Sequence, residues 1–324
     1  MSAEPSASVV VPVRNGAATL DALLAALERQ VPLGGIEVVA VDSGSTDGST
    51  EILRRHGVQT LEVAARSFDH GETRNLGART ARSRFVVFLS QDAIPATDDF
   101  VASLTGALER DPRLAGAFAR QLPRPDADPL ARRDLAGWVT AGTEPRTVFL
   151  PEHPGFGGLA PAARHRLCAF DNVASCVSRE TLLEHPFEPT LFGEDLEWGF
   201  RMLHLGFGLA YVPQAVVLHS HRRSARRLFR RNYLGHRLLL RLFGLRTIPD
   251  RRHLIRACLG AVASDLGTLG RDGAGPRLWL KAPAQALAAS YGQYRGARDQ
   301  ALGRPYPRWA RGDAPEACSG EGRT

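Results

Sequence analysis

The sequence contains little lysine and cysteine and has no long hydrophobic run. Lys281 is the single lysine among 324 residues, so the net charge of +7 comes almost entirely from arginine. Arginine suits bidentate contact with phosphate and carboxylate groups, but the chain has no recognisable nucleic-acid-binding module, and we expect no nucleic acid as a partner. The four cysteines lack CxxC spacing and a matching histidine pattern, which argues against a zinc site and against disulfides.

Apolar segments of the length required in a membrane are also missing. No window reaches the roughly 18 uncharged apolar residues that a membrane-spanning helix needs. The first residues lack the basic region and apolar core of a signal peptide. We therefore expect a cytoplasmic protein, either soluble or peripheral on the inner face of the cell membrane. Two phosphate-binding motifs, GxGxxG after the first strand and GxxxxGK[ST], are absent as well.

Apolar runs alternate with helical patterns in the first half of the chain. Phe85–Leu89 is a continuous apolar run, typical of a strand buried on both faces of a sheet, and Ser8–Val13 and Ile36–Val41 have the same character. Their alternation with helical segments predicts parallel βαβ units and an α/β fold. Two short strands are predicted later, at Leu209–Val212 and Ala215–Leu218. Three C-terminal segments have helical spacing, 226–245, 253–269 and 278–294.

Polar residues follow three of the predicted strands. Arg14 and Asn15 come after the first strand, Asp42 after the second, and Gln91 and Asp92 after the third. The carboxyl ends of neighbouring parallel strands meet at one edge of a sheet, where open α/β proteins bind ligands. One carboxylate there can accept from a base or ribose, and another can hold a divalent cation against a diphosphate. A lone aspartate of this kind is more often a turn or capping residue, but three such strand ends together predict a nucleotide site.

These segments carry a family resemblance. The relevant motifs are Val-Val-Val-Pro-Val-Arg-Asn, Val-Asp-Ser-Gly-Ser-Thr-Asp-Gly-Ser, Phe-Asp-His-Gly, Thr-Arg-Asn-Leu-Gly, Ser-Gln-Asp-Ala, Gly-Glu-Asp-Leu-Glu-Trp-Gly-Phe-Arg and His-Ser-His. In this order they resemble glycosyltransferase family 2, and within it the bacterial rhamnosyltransferase-like branch. The resemblance implies a GT-A fold, which is a Rossmann-like mixed sheet flanked by helices, here with a C-terminal helical appendage. We expect a catalytic domain over 7–222, a helical region over 223–303 and a disordered tail over 304–324.

The resemblance also implies residue roles in binding a nucleotide-diphosphate sugar. The residues expected to contact this donor are Pro12, Arg14, Asn15, Asp42, Arg74, Gln91 and Asp92. Asp92 matches the last carboxylate of the family's Asp-x-Asp motif, and with His219 it is expected to bind Mn²⁺ or Mg²⁺. Ser90 stands where the first aspartate of that motif usually lies, so this chain offers one negative ligand fewer.

The family transfers sugars with inversion, for which a base must deprotonate the acceptor hydroxyl. Asp195 matches the catalytic aspartate of the family, and Glu194 would hold the acceptor. Two adjacent carboxylates repel each other, which raises the pKa of one and makes it a better base; acids also favour a first helical turn for electrostatic reasons alone. The expected reaction transfers a sugar, such as rhamnose from dTDP-rhamnose, to a cell-surface glycan or lipid-linked acceptor. The alternative is a non-catalytic nucleotide-sugar or membrane-binding protein on a degenerate scaffold, which Ser90 favours.

Several residues keep two interpretations at this point. His70 would either touch the donor or cap the following helix, and Trp198 would either stack on a sugar or lie in the core. Arg222 and Arg223 would either neutralise the leaving diphosphate or form a solvated cluster. The C-terminal helices would either pack on the catalytic domain or lie on an anionic membrane, where each arginine adds about 1 kcal/mol.

Overall fold

The computed structural model describes residues 5–30, 35–65, 68–150, 155–220 and 223–311. The strands are β1 (Ala7–Val13), β2 (Ile36–Asp42), β3 (Gln59–Glu62), β4 (Phe85–Leu89), β5 (Ile94–Pro95), β6 (Leu114–Leu122), β7 (Arg146–Phe149), β8 (Ala174–Ser178) and β9 (Gly208–Leu218). The helices are α1 (Ala17–Glu28), α2 (Ser49–Arg55), α3 (His70–Thr80), α4 (Phe100–Arg110), α5 (Pro129–Ala136), α6 (Pro161–Leu167), α7 (Arg179–Glu184), α8 (Glu194–His204), α9 (Ala225–Phe243), α10 (Arg251–Arg271), α11 (Pro276–Ala301) and α12 (Arg308–Arg311).

The strands of the described residues form one mixed sheet of nine strands. Their order is β3-β2-β1-β4-β8-β6-β9-β5, and β7 pairs with β9. The first four strands are parallel neighbours, as the alternating pattern predicts. β8 is antiparallel to both β4 and β6, and β6 is parallel to β9. Consequently β4, β6 and β9 run in the same direction, and the predicted α/β fold with a mixed sheet is confirmed.

Separate apolar clusters cover the two faces of the sheet, which explains the continuous apolar runs. In β1, Val9 and Val11 lie in one cluster with Leu23, whereas Val10 lies in the other cluster with Trp198. Successive side chains of a strand point to opposite faces. A strand that is covered on both sides therefore needs an apolar residue at every position, as Phe85–Leu89 has.

The C-terminal helices pack closely because two glycines of α11 face α9. A Cβ atom at Gly296 would lie 2.2 Å from the carbonyl oxygen of Tyr233, and one at Gly292 would lie 2.6 Å from that of Phe229. A side chain at either position would force the helices apart. α9 also reaches the sheet domain, where Phe243 joins the Trp198 cluster. Within the described residues, no helix has both the length and the hydropathy that crossing a membrane requires.

The strand prediction near residue 213 was wrong in one respect. The segments 209–212 and 215–218 belong to one strand, β9, rather than to two. Its pairing with β6 shifts between Ala119 and Arg120, so that extra residues of β9, including Pro213, bulge out of the ladder. Proline has no N–H to donate, and it is tolerated in strands at such bulges. The sequence pattern is interrupted there, but the strand is not.

The prediction of disorder from Arg304 onward was also wrong for the part of the tail that the structure describes. Arg237 of α9 donates a hydrogen bond to the carbonyl oxygen of Arg304, and Ala310 in α12 is fully buried. Arginine donors on α9 thus satisfy main-chain carbonyls of this segment and hold it against the helices. Residues 312–324 lie outside the described residues, and the domain boundary near residue 222 stays a prediction.

Candidate active site at the carboxyl edge of the sheet

Polar residues from several strand ends meet at one edge of the sheet. Val13 at the end of β1 pairs with Asp42 at the end of β2. Because β8 is antiparallel, its first residue, Ala174, pairs with Leu89 at the end of β4, and β5 pairs with the end of β9. The candidate residues thereby brought to this edge are Arg14, Asp42, Gln91, Asp92, Asp171 and His219. The predicted convergence is therefore present.

The loops after β1 and β2 are tied together by side chains expected to touch the nucleotide. The carboxylate of Asp42, which is 3% exposed, accepts from the main-chain N–H groups of Gly44 and Ser45 at 3.1 and 3.0 Å. Asn15 has a φ of 48°, and its side-chain oxygen accepts from the N–H of Thr46 at 2.8 Å. These bonds fix the shape of the edge. The contacts of Asp42 and Asn15 with a nucleotide stay predictions.

Gln91 joins the end of β4 to the end of β1. Its side-chain oxygen accepts from the N–H of Arg14 at 2.8 Å, and its amide nitrogen donates to the Arg14 carbonyl at 3.0 Å. A Cβ atom at Gly16 would lie 2.5 Å from the same side-chain oxygen, so a larger residue there would displace the Gln91 amide from its bonds to Arg14. Pro12 lies beside it in β1, opposite Val41. Gln91 holds the loop, and its own contact with a donor stays a prediction.

The guanidinium group of Arg14, at the same edge, has hydrogen-bond donors without an acceptor among the described residues. Its Nε and Nη1 atoms are buried and form no hydrogen bond with the described part of the chain. Buried polar groups are nearly always hydrogen-bonded, so an exception calls for an explanation. A bound anion would supply one, because a guanidinium group binds phosphate oxygens with charge-assisted hydrogen bonds.

Asp92 and His219 form the pair expected to hold a metal ion. The Nε2 atom of His219 lies 3.6 Å from Oδ1 of Asp92, and their side chains are 4% and 16% exposed. The other ring nitrogen, Nδ1, lies 3.0 Å from the side-chain oxygen of Gln121. Burial lowers the pKa of His219, although the charges of Asp92 and Asp171 oppose this shift. A neutral imidazole with its proton on Nδ1 directs the Nε2 lone pair towards Asp92.

Asp92 and His219 fit a divalent cation whose remaining ligands come from the substrate diphosphate and water. Among the described residues, no group of three or more histidine, cysteine, aspartate or glutamate side chains could enclose a metal ion. Mg²⁺ is commonly bound by one or two carboxylates together with substrate phosphates and water. Asp92 and His219 would therefore hold the ion, and the diphosphate would complete its coordination. Ser90 leaves the protein with a single carboxylate at this site.

Asp195 has the properties of a general base. It is partly buried at the start of α8, and its carboxylate accepts from the N–H groups of Asn172 at 3.1 Å and Leu196 at 2.8 Å. Burial raises the pKa of Asp195 to about 7, and the charges of Glu194 and Asp171 add to the increase. A carboxylate with a pKa near neutrality is matched to removing a proton at physiological pH.

Glu194 has a different environment although it is adjacent in sequence. Its Oε1 atom lies 2.9 Å from Nη1 of Arg74, and both side chains are only 7% exposed. Burial by itself would raise the pKa of Glu194, but the charges of Arg74 and His70 outweigh it and hold the pKa below its ordinary value. The two carboxylates are thus separated into one that stays ionised and one that can take up a proton. Whether Arg74 also contacts a donor stays a prediction.

Asp171 and Trp138 belong to this site and were missed by the sequence analysis. Oδ1 of Asp171 accepts from the N–H of Val173, and Oδ2 accepts from the indole N–H of Trp138 at 3.1 Å. The charge of Asp171 contributes to the pKa values of both Asp195 and His219, so it lies near each of them. No motif marks these residues. The Asp-Asn pair just before β8 is the local sign of a polar strand end at this position.

The comparison with known proteins identifies the family. The O-antigen chain rhamnosyltransferase WbaN of Salmonella anatum is 30% identical over 231 residues, which cover 71% of this chain and 70% of that protein. The chain belongs to glycosyltransferase family 2. The model of that family matches residues 8–159, and the O-antigen chain rhamnosyltransferase RfbN of Salmonella typhimurium is 27% identical over 231 residues, 70% of each chain.

A solved structure shows that this family 2 enzyme has the expected GT-A fold. The mannosyltransferase PcManGT of Pyrobaculum calidifontis, in complex with GDP-mannose and Mn²⁺, superposes with a TM-score of 0.57. The match covers 94% of this chain and 89% of that protein, at 17% identity. At this identity the likeness concerns the fold, and the long coverage shows that it extends into the C-terminal helices.

The structure decides between the two interpretations of Trp198 in the family 2 motifs, and it excludes a capping role for His70, whose contact with a donor stays a prediction. Trp198 is fully buried and donates its indole N–H to the carbonyl oxygen of His185 at 2.7 Å, so it is a core residue and does not face a sugar. Asp69, rather than His70, caps α3, since its side chain accepts from the N–H of Glu72. His70 is the first residue of the helix, where burial lowers its pKa.

Arg223, which follows β9, lies in a setting that neither interpretation predicted. Arg223 is 8% exposed and pairs with Asp134 at 2.5 Å and with Asp265 at 3.5 Å. It therefore links α5 to α10 and is neither a solvated residue nor directed at a diphosphate. His221 and Arg222 lie outside the described residues.

Proposed function

We propose that this enzyme is an inverting transferase that moves a sugar from a nucleotide-diphosphate donor to a hydroxyl group of a glycan or lipid-linked acceptor. Rhamnose from a dTDP donor is the sugar we favour, because the relatives WbaN and RfbN are named rhamnosyltransferases. The observation that carries the proposal is the position of Asp195. A carboxylate with a pKa of about 7 lies at the same sheet edge as the Asp92–His219 pair and the unsatisfied guanidinium group of Arg14.

In the proposed reaction the acceptor oxygen attacks the anomeric carbon from the side opposite the nucleotide. The new C–O bond forms while the bond to the diphosphate oxygen breaks, and the hydroxyl proton moves to Asp195. A divalent ion at Asp92 and His219 would stabilise the charge that develops on the leaving diphosphate. Arg14 would neutralise further charge on that group. Burial raises the pKa of Asp195, and the charge of Glu194, which pairs with Arg74, adds to the increase.

Calorimetric titration with dTDP, UDP and GDP, each with and without Mg²⁺ or Mn²⁺, tests the donor site. We expect one nucleotide to bind preferentially and the metal to strengthen its binding by about tenfold or more, equivalent to about 1.4 kcal/mol. Asp92→Asn should remove most of the metal effect, because it eliminates the single carboxylate of the pair. Asp47→Asn, in a loop residue bonded to Ser49 and Ala17, is the matched control. Absence of binding by all three nucleotides would contradict a donor site.

We also propose a peripheral membrane contact through the C-terminal helices, and the exposed residues of α10 favour this helix. Ile255 and Leu259 in α10 are 61% and 68% exposed, and Leu280 at the start of α11 is 83% exposed. Arginines 251, 252 and 256 are exposed beside them, and no acid occurs between residues 251 and 264. Apolar side chains flanked by cations suit the surface of an anionic bilayer. We infer that this face of α10 rests on such a surface.

Sedimentation with phosphatidylcholine vesicles, with and without phosphatidylglycerol, measures this contact. We expect binding to the anionic vesicles, weakened by 0.5 M salt because the arginine contribution is screened. The double substitution Ile255→Gln and Leu259→Gln should reduce the bound fraction several-fold. Leu205→Gln, in a residue 54% exposed at the end of α8, should not. Equal binding by both variants would show that α10 does not carry the contact.

A further inference from the structure

Trp138 presents an exposed aromatic surface beside the catalytic residues. It follows α5 and is 43% exposed, whereas Trp198 in α8 is fully buried. The single polar atom of the Trp138 side chain is already bonded, since its indole N–H donates to Asp171 at 3.1 Å. The part of the ring left to solvent is therefore apolar. A large exposed aromatic group next to a site is a frequent means of binding a ligand.

Hydrogen bonds connect Trp138 and the residues just after it to two groups of the proposed site. On one side, Asp171 precedes Asn172, whose N–H donates to the carboxylate of Asp195 at 3.1 Å. On the other side, the carbonyl oxygen of Thr140 accepts from the N–H of Gln121 at 3.0 Å, and the side chain of Gln121 contacts His219. The hydrogen bond to Asp171 thus ties the indole to the segment that bonds Asp195, and the main chain just after Trp138 is tied to the strand that carries Gln121.

We propose that Trp138 is an acceptor-binding residue whose exposed indole stacks on a pyranose ring. This inference rests on the proposed function, and it specifies the substrate class: the hydroxyl group that Asp195 deprotonates belongs to a sugar. The C–H groups on one face of a pyranose carry partial positive charge and match the negative face of the indole. The diphosphate end of the donor has different requirements, which Arg14 and the Asp92–His219 pair meet.

Trp138 could instead serve only as a clamp that holds Asp171 in place through its hydrogen bond. Two substitutions distinguish this structural role from stacking on a sugar, because the two roles predict opposite effects. Trp138→Phe keeps an aromatic face and loses the hydrogen bond to Asp171. Trp138→Gln keeps an N–H donor and loses the aromatic face. If the ring stacks on a sugar, Phe should retain sugar binding to within about threefold, and Gln should weaken it about tenfold, equivalent to about 1.4 kcal/mol. A clamp would instead be impaired by Phe and rescued by Gln.

The direct experiment uses ¹⁹F NMR of the full chain labelled with 5-fluorotryptophan, which gives one signal for each of the four tryptophans. The probes are methyl α-glycosides of L-rhamnose, D-galactose and D-mannose, added with Mg²⁺ and each of dTDP, UDP and GDP. Trp138→Phe assigns the signal. We expect the Trp138 signal to shift with at least one glycoside. The Trp279 signal should stay in place, although that indole is also exposed, at 38%, and also bonded, to Ala274.

The possible outcomes test the role of Trp138 separately from the proposed transferase function. A Trp138 signal that no glycoside shifts would overturn the inference. If a nucleotide binds in the same samples, the donor site stands and only the role of Trp138 is lost. A shift of equal size at Trp279 would also overturn it, because the glycosides would then be binding non-specifically. A selective shift in the parent protein, together with a tenfold loss of glycoside affinity in Trp138→Gln measured by calorimetry and an unchanged nucleotide affinity, would establish the acceptor contact.

Discussion

Replacing Asp195 with asparagine is expected to lower the rate of sugar transfer by about 10²- to 10⁴-fold, the usual contribution of a general base. Nucleotide affinity should stay unchanged, because Asp195 accepts hydrogen bonds from the N–H groups of Asn172 and Leu196, whereas the diphosphate is proposed to contact Arg14 and the Asp92–His219 pair. Transfer is measured as release of nucleoside diphosphate in the presence of acceptor, and binding is measured by calorimetry. Transfer at the parent rate would show that the base lies elsewhere.

Glu197→Gln is the matched control, since Glu197 is a further acid in the first turn of α8. Its carboxylate pairs with Arg201. If the acids of this turn served only the helix dipole, the two substitutions would have similar small effects on stability and none on transfer. A catalytic Asp195 predicts a large loss for one variant and a normal rate for the other.

The elevated pKa of Asp195 predicts the pH dependence of the parent enzyme. Transfer should increase as the pH rises through about 7, because the base must be ionised to accept a proton. Stability changes in the opposite direction. The folded-state pKa lies above the ordinary value of 3.8, so the folded state binds the proton more tightly than the unfolded state does. The contribution of Asp195 to stability is therefore fully present below about pH 4 and is lost as the pH rises through about 7.

The sequence predicted the sheet edge well because the relevant information was local. An apolar run followed by Asp42 or by Gln91 and Asp92 specifies both a buried strand and the polar residue at its end. The parallel order of the first strands follows from the intervening helices. The adjacent Glu194 and Asp195, of which Asp195 is the proposed base, were likewise visible as a motif, and the structure gives the two carboxylates different electrostatic environments.

The remaining features depend on contacts between distant parts of the chain. Trp138 and Asp171 are 33 residues apart, and no local pattern indicates that their side chains meet. Similarly, Gly193 has a φ of 76°, and a Cβ atom there would lie 2.5 Å from Leu238 in α9. The helix that carries Asp195 is therefore positioned by a helix that the sequence analysis treated as an appendage. Sequence periodicity identifies helices, but it does not identify what their apolar faces cover.

Arg74→Met is expected to destabilise the protein by about 3–5 kcal/mol, the usual cost of leaving one charge of a buried ion pair without its partner. Arg74 and Glu194 are 120 residues apart in sequence and both nearly inaccessible, so neither can be solvated when the other is removed. The free energy of unfolding is measured by urea denaturation. Arg79→Met is the control on the same helix, because its pair with Glu72 is 48% and 57% exposed and should contribute less than about 1 kcal/mol.

The double variant Arg74→Met, Glu194→Gln distinguishes two causes of the lost stability: the unpaired charge of Glu194 and the missing packing of the Arg74 side chain. With both charges gone, no buried carboxylate is left unpaired, and we expect roughly half or more of the lost stability to return. The pH dependence gives a second check. The pKa of Glu194 is held below its ordinary value of 4.5, so its contribution is present above that value and disappears as the pH falls through the lowered pKa. If Arg74→Met proved as stable as the control Arg79→Met, the ion pair would not have the proposed role of joining α3 to α8.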